Sequence, residues 1–360
     1  MPSDADETHL LRALALARKG WGDTHPNPMV GAAVVEGGKI VAEGFHARAG
    51  TPHAEVKALQ ALGRRPLAGA TLYVTLEPCS THGRTPPCVQ AILDAGLRRV
   101  VVGTVDPNPL HAGNGIELLR AAGVEVTLAF GPLEVACREL NFLFNHWMVH
   151  RRTLVAMKVA RDATGRTVPV PGQRFITGEL ARADMMQWRR LFPVIAIGAG
   201  TALADNPQLT ARLPEGAFAP VRLLLDRSGR TAGQGHLQIF SDSYRSQTIV
   251  ALDVRQTSPE QRTWFKGQGL QTLEISSGDF LKQVFQHATD SGWLGVFVEP
   301  GPVLGAALIA ARLIDRAWIY TAPSGKADPS SQSWLNKVLI ADGASVLNLG
   351  EDTLISGSWK

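Results

Sequence analysis

Apolar residues over the first 150 positions follow helical and strand spacings in turn. Thr8–Lys19 carries them at helical spacing, and Val30–Val35 and Ile40–Phe45 are short apolar runs joined by Glu36-Gly37-Gly38-Lys39, which predicts a hairpin. The later pattern predicts helices at Ala54–Leu62, Cys88–Ala95, Gly115–Ala122 and Pro132–Trp147, and strands at Thr71–Leu76, Val100–Val105 and Val124–Ala129. Strands that alternate with helices indicate an α/β layered domain.

A second alternating pattern begins after the charged junction His150-Arg151-Arg152. It predicts strands at Thr153–Ala160, Val194–Gly198, Val221–Asp226, Thr248–Leu252, Leu270–Ile275, Val296–Glu299 and Ala317–Thr321. It predicts helices at Gly178–Arg190, Phe280–Ser291 and Pro302–Leu313, and the polar stretch Ala327–Trp334 as a loop. We therefore expect two α/β domains, 1–150 and 151–360, which agrees with a length of 360 residues at about 100–200 residues per domain.

Composition narrows the class of protein. Hydrophobic residues make up 45% and charged residues 19%, an ordinary balance for a globular protein, and the net charge is only +4. No dense run of Lys and Arg occurs, so we expect no nucleic-acid partner. A mildly basic surface is compatible with a phosphorylated small substrate.

The length of the apolar runs and the number of cysteines indicate where the protein resides. No such run approaches the ~18–20 residues of a membrane span, so we expect no membrane partner. Cys79, Cys88 and Cys137 are too few for a disulfide framework, which predicts a cytoplasmic enzyme, with Cys137 as a thiol in the core.

The strongest chemical signal is His53-Ala54-Glu55 followed by Pro78-Cys79 and then Cys88. A catalytic zinc takes three protein ligands and keeps one position for water, whose pKa it lowers. A carboxylate must then move a proton from that water to the leaving amine. We predict His53, Cys79 and Cys88 as zinc ligands and Glu55 as the proton shuttle, the pattern of zinc deaminases.

The spacing of the two cysteines leaves alternatives open. Ser80–Pro87 places eight residues between them, where nucleoside deaminases have two. Both thiols reach one metal if Ser80–Pro87 forms a loop and Cys88 opens a helix, whose N-terminus favours a thiolate. A closed structural zinc with His46 or His82 as fourth ligand, or two buried thiols without metal, are the alternatives.

Longer motifs resemble the RibD family of bifunctional riboflavin-biosynthesis enzymes. The matching segments are Thr24–Gly31, His53–Glu55, Thr75–Cys88 and Asp106–Pro109. The resemblance implies a cytidine-deaminase-like αβα domain that deaminates 2,5-diamino-6-ribosylamino-4(3H)-pyrimidinone 5′-phosphate. It makes Asn27, in a Pro-Asn-Pro turn, a candidate substrate-binding residue, with second-line candidates at His46, His82, Arg84 and Asn108.

The second half is similar to the family's reductase domain, which implies a dihydrofolate-reductase-like α/β fold, NADPH as cofactor and reduction of the ribosyl group to ribityl. The implied cofactor-binding residues are Ala160, Phe175, Thr201, Asp205 and Gly301, and the implied substrate-binding residues are Arg189, Leu209, Arg212 and Glu299. Gly301-Pro302 before a helix suits a phosphate seat, and guanidinium groups at Arg189 and Arg212 suit the ribose phosphate.

This half also departs from the family. Thr164 replaces an acidic residue, Asn206 replaces the second of two acids, Phe175 replaces Trp, and Pro300 replaces the first glycine of a pair. Proline fixes φ and removes an N–H, so Pro300 would alter a site that needs either. The resemblance favours an active NADPH reductase and a homo-oligomer; the alternatives are a deaminase with a degenerate reductase domain acting as a scaffold, a tRNA or free-nucleoside deaminase, and a non-catalytic protein with structural zinc.

Overall fold

A computed structural model describes residues 2–81, 86–330, 335 and 344–359 of the protein. The chain folds as two compact units, Met1–Arg151 and Arg152–Lys360. Among the described residues, no helix is both long and apolar enough to cross a membrane.

The first unit is built on a mixed sheet between helices. Its elements are α1 (Asp4–Ala17), β1 (Gly31–Glu36), β2 (Lys39–Phe45), α2 (Ala54–Leu62), β3 (Thr71–Val74), α3 (Cys88–Ala95), β4 (Arg99–Val102), α4 (Asn114–Ala121), β5 (Glu125–Leu128), α5 (Gly131–Leu140) and α6 (Phe142–His150). The described strands form one five-stranded sheet in the order β2-β1-β3-β4-β5. β1 runs antiparallel to β2 and β3, and β3, β4 and β5 are parallel.

Strand alternation assigns the two faces of this sheet. Ala32, Val34, Leu72 and Val74 belong to one core cluster with residues of α2, α3 and α4. On the opposite face the neighbouring glycine Gly31 lies under α1, since a Cβ there would sit 2.0 Å from Ala13 O. The result is the expected αβα layering.

Helix α2 presses directly onto the sheet at Gly44. A Cβ at this position of β2 would lie 2.4 Å from both Ala54 O and Ala58 N, far inside van der Waals contact. Only glycine fits between strand and helix here, so the absence of a side chain sets the distance of α2 from the sheet.

The second unit contains a larger sheet. Its elements are β6 (Leu154–Asp162), α7 (Glu179–Leu191), β7 (Val194–Gly198), α8 (Ala199–Asp205), β8 (Ala211–Leu213), β9 (Gly216–Phe218), β10 (Val221–Leu225), α9 (Gln238–Ser241), β11 (Thr248–Asp253), α10 (Pro259–Gly267), β12 (Gln271–Ile275), α11 (Phe280–Asp290), β13 (Gly295–Val298), α12 (Pro302–Ala310), β14 (Arg316–Ala322), β15 (Ser345–Leu349) and β16 (Asp352–Ser358). Nine of the described strands form one sheet, in the order β12-β11-β10-β7-β13-β6-β14-β16-β15. It is parallel from β12 to β14 and antiparallel beyond.

Most of the expected elements form within a few residues of their predicted bounds, and one expectation needs correction. The single helix expected at Pro132–Trp147 is broken at Asn141, whose buried side chain accepts from Met29 N (2.7 Å) and donates to Met29 O (2.8 Å). The loop expected at Ala327–Trp334 is irregular through Ser330, and 331–334 lie outside the described residues.

A buried carboxylate ties α1 to the sheet. Asp6 is 3% exposed and accepts from Arg99 Nη1 (2.8 Å), Arg99 Nη2 (2.9 Å) and Tyr73 Oη (2.7 Å). The hydrogen bond from Arg99 is the main cause that lowers the pKa of Asp6 far below its ordinary value, against the opposing effect of burial.

We expect Asp6→Asn to destabilise the first unit by about 3 kcal/mol, the usual cost of breaking one side of a buried pair. Because the folded pKa is depressed, the pair stabilises the fold above the unfolded value of 3.8 and this contribution is lost as the pH falls through the folded pKa. Melting temperatures at pH 7 and pH 3 measure both effects, with Asp4→Asn on the exposed side of α1 as control. Equal melting of the two variants at pH 7 would contradict the prediction.

Candidate active sites

The three predicted zinc ligands converge at the start of two helices. His53 is the N-cap of α2, Cys88 is the first residue of α3, and Cys79 lies in the loop after β3. His53 Nδ1 is 3.2 Å from Cys88 Sγ and 3.6 Å from Cys79 Sγ, and all three ligand atoms lie within 4.8 Å of one another. A tetrahedral zinc separates its nitrogen and sulfur ligands by about 3.5 Å, so this donor set fits zinc.

Local electrostatics suit a metal-binding thiolate beside a proton carrier. Hydrogen bonds from Cys88 and His53 lower the pKa of Cys79 to about 4. Burial, with the nearby Cys79 charge, raises the pKa of Glu55 to about 7. Glu55 sits in the first turn of α2 and is 3% exposed, so its carboxyl group is buried beside the ligand group.

His46 is not part of the ligand group. Its ring packs edge-on against His53 with centroids 5.4 Å apart, while its Nε2 lies 3.1 Å from Asn27 Nδ2 and its Nδ1 lies 3.4 Å from Pro52 O. His46 thus connects Asn27 to the zinc ligands and orients its amide. The other fourth-ligand candidate, His82, and the candidate Arg84 lie outside the described residues.

The segment after β4 borders the same site. Burial raises the pKa of Asp106, and the charges of Glu77 and Cys79 add to the effect. Asn108 is held in this segment, because its N–H donates to Asp106 Oδ1 at 2.8 Å and its Oδ1 accepts from Arg151 Nη2 at 3.2 Å.

The second unit contains a cavity of about 1600 Å³, larger than the ~300–1,000 Å³ of ordinary ligand pockets. It has room for a dinucleotide and a second ligand. Its lining brings together all nine residues expected to bind cofactor or substrate in this half: Ala160, Phe175, Arg189, Thr201, Asp205, Leu209, Arg212, Glu299 and Gly301.

A charged cluster lies in the wall of this cavity. Glu299 accepts from Arg189 Nε (2.6 Å) and Nη2 (3.0 Å), and Lys158 Nζ lies 3.8 Å from its carboxylate. Burial alone would raise the pKa of Glu299, but the two cations outweigh it and lower the pKa to about 2. Arg189 is therefore a buried partner of Glu299 rather than a surface charge. Arg212 is close by, donating to Thr210 Oγ1 at 3.0 Å.

The comparisons with known proteins agree with both sites. Residues 3–104 match the cytidine and deoxycytidylate deaminase zinc-binding region, and residues 155–328 match the RibD C-terminal domain. The riboflavin biosynthesis protein RibD of Aquifex aeolicus is 36% identical over 361 residues, covering 99% of each chain. The protein of Actinobacillus pleuropneumoniae is 38% identical, covering 90% of this chain and 86% of the relative.

The chain belongs to the RibD family. A solved structure from Thermotoga maritima, described as a diaminohydroxyphosphoribosylaminopyrimidine deaminase/5-amino-6-(5-phosphoribosylamino)uracil reductase, covers 99% of both chains with a TM-score of 0.81 and 32% identity. The Acinetobacter baumannii RibD structure gives a TM-score of 0.79 over the same shares. The expected fold class is confirmed, and so is a bifunctional zinc deaminase and NADPH reductase of riboflavin biosynthesis.

The positions that depart from the RibD family pattern, or lie next to one, make local contacts in this chain. Gly301, next to Pro300, has φ −75° and is the N-cap of α12, and its missing Cβ admits Thr201 Oγ1. Asn206 has φ 41° just after α8, and its Oδ1 accepts from Gln238 N at 2.7 Å. Thr164 donates from its hydroxyl to Asp162 at 2.6 Å. Phe175 stacks under Arg182, 4.6 Å from its ring centre.

Sequence reasoning missed several residues near the two sites. Arg174, Arg227, Arg230 and Arg255 line the reductase cavity. A signal existed for Arg227 and Arg230, because they follow β10 at the carboxyl edge of a parallel sheet, where ligands bind in α/β folds. Glu77 lies within a motif of the family resemblance, but the sequence alone indicates no role for it.

We expect purified protein to carry about one zinc per chain, since three protein ligands converge at one point. Cys79→Ser and Cys88→Ser should each lose most of it. Cys137→Ala removes the third, buried thiol and is the matched control that should retain zinc. Metal analysis after gel filtration gives the stoichiometry, and a zinc content that survives both serine variants would remove these thiols from the site.

Proposed function

We propose that unit Met1–Arg151 deaminates 2,5-diamino-6-ribosylamino-4(3H)-pyrimidinone 5′-phosphate and that unit Arg152–Lys360 reduces the deaminated product. The observation that carries the deaminase proposal is the buried Glu55 beside the His53, Cys79 and Cys88 group. The Thermotoga maritima protein is described by the same pair of reactions, which supports this assignment.

The deaminase residues divide the work as follows. His53, Cys79 and Cys88 would hold zinc, which when bound would make hydroxide available near neutral pH by lowering the pKa of a water. Glu55 would take up the proton and pass it to the departing amino group. Asn27, oriented by His46, offers an amide to the pyrimidine ring.

The reductase proposal depends on the cavity and its charged cluster. NADPH supplies a hydride when bound, and the protein contributes position and charge. The free backbone N–H groups in the first turn of α12, whose N-cap Gly301 lies beside Thr201, would hold a cofactor phosphate. Arg189 and Arg212 line the same cavity and would bind the phosphate of the substrate, and buried Lys158 would hold the proton that accompanies the hydride.

A coupled assay tests both halves. Supplied with the diaminopyrimidine phosphate alone, the protein should release ammonia and yield only the ribosylaminouracil phosphate, identified by mass. Added NADPH should convert this product to the ribityl compound. Deamination without NADPH consumption would leave a deaminase with a scaffold domain. A cytoplasmic location and a homo-oligomeric state belong to the same proposal; fractionation and sedimentation measure them.

A further inference from the structure

Glu77 is a buried carboxylate that the deaminase chemistry leaves unused. It is 5% exposed and lies two residues before the zinc ligand Cys79. Its own N–H donates to Thr104 O at 2.9 Å, so its backbone is already tied to the end of β4. A carboxylate this deeply buried needs hydrogen-bond donors around it.

Those donors are four backbone N–H groups within residues 106–116. Glu77 Oε2 accepts from Asp106 N (3.1 Å) and Gly113 N (2.9 Å). Glu77 Oε1 accepts from Gly115 N (2.8 Å) and Ile116 N (3.3 Å). Hydrogen bonds to an ionised acceptor are the stronger kind, and here they hold both ends of the segment 106–113.

The chain directly after this segment touches the residue before the zinc ligand Cys79. A Cβ at Gly115 would lie 2.1 Å from Pro78 O, so the first turn of α4 packs directly on the residue before Cys79. Asn108 lies between the two held ends and is itself fixed by Asp106 and Arg151. Glu77 therefore connects the metal-binding loop to a polar segment beside it.

We propose that Glu77 is a positioning residue of the deaminase, which holds the segment 106–113 against the loop that carries Cys79. In this position, Asn108 forms part of the wall that contacts the pyrimidine substrate. The proposal rests on the proposed deaminase function. It assigns Glu77 no contact with the substrate and no step in the chemistry. Its effect is on substrate binding, and it acts through Asn108.

Glu77→Gln tests this with little change in size. The amide replaces one acceptor oxygen by an NH₂ group, which then faces two backbone N–H donors in either orientation. We expect the KM for the diaminopyrimidine phosphate to rise roughly tenfold or more, the scale of about one lost charge-assisted hydrogen bond. Zinc content, deaminase kcat and the reductase rate should change little. Glu117→Gln, an exposed position on α4, is the matched control.

A double-mutant cycle separates positioning from a general structural role. If Glu77 acts through Asn108, the double variant of Glu77→Gln and Asn108→Ala should raise KM by much less, in free energy, than the sum of the two single effects. Glu77→Asp keeps the charge, but its shorter side chain cannot reach all four donors, so we expect a smaller rise in KM. It is the variant to use if Glu77→Gln unfolds the first unit. Unchanged KM, additive effects, or loss of zinc in the Glu77 variants would overturn the proposal. Absence of deaminase turnover in the unmodified protein would instead overturn the proposed function.

Discussion

Glu55→Gln should abolish most deamination while the protein keeps its zinc. The amide has the size of the carboxylate but cannot accept a proton, and general acid–base groups contribute about 10²–10⁴-fold to rate. Because Glu55 moves the proton twice, from the water and to the leaving amine, we expect a loss at the upper end of that range. Ammonia release at saturating substrate measures it directly.

Two controls make the Glu55 result interpretable. Metal analysis of the variant should still give about one zinc, since His53, Cys79 and Cys88 are unchanged. Reduction of pre-deaminated substrate should run at the normal rate, because Glu55 lies outside the unit that contains the reductase cavity. Turnover within a few fold of normal in a zinc-loaded variant would remove Glu55 from the mechanism.

Glu299→Gln should lower kcat/KM of the reduction by roughly 100-fold. Arg189 and Lys158 both face this carboxylate, with side chains 8% and 16% exposed, and the substitution removes their nearest counter-charge. Loss of one partner of a buried ion pair costs about 3 kcal/mol, which is about 100-fold in rate when it falls on the transition state. The rate of NADPH consumption at several concentrations of the deaminated substrate measures kcat/KM.

The Glu299 variant has its own controls. Deamination should continue unchanged, and Glu215→Gln, an exposed position of the same unit, should leave both reactions intact. For the unmodified protein, NADPH at about 100 times its Kd should stabilise the fold by about 2.7 kcal/mol, seen as a higher melting temperature. Normal reduction by Glu299→Gln would show that the Arg189 pair is structural.

Local signals predicted most of the fold, and tertiary contacts explain the failures. Ala54–Leu62 and Cys88–Ala95 form at the predicted bounds, and each ends at a glycine, Gly63 or Gly96, that adopts the left-handed conformation of a helix C-cap. The break at Asn141 depends on a bond to Met29, 112 residues away, which no window reveals. Helix α10 was missed although Ser258 and Gln261 form a capping box, so its signal was present.

The sites show the same difference between local signals, which the sequence reveals, and long-range contacts, which it does not. Residue types and spacing were enough to bring His53, Glu55, Cys79 and Cys88 together, since zinc restricts its ligands. Arg189 is predicted to bind the substrate phosphate, and its ion pair with Glu299, 110 residues away, is a contact that the sequence does not reveal. The partners of Glu77 are backbone N–H groups, which every residue except proline has, so the sequence contains no pattern that would reveal this role.

Gly44 has a consequence for how this enzyme can change under selection. Its lack of a side chain fixes the spacing of α2, and α2 carries both a metal ligand and the proton shuttle. In a library of single substitutions, we therefore expect even alanine at Gly44 to be counter-selected as strongly as changes to His53. Variants selected for other amino-bearing rings should instead accumulate changes in the loops around the metal, where new side chains do not lift the catalytic helix from the sheet.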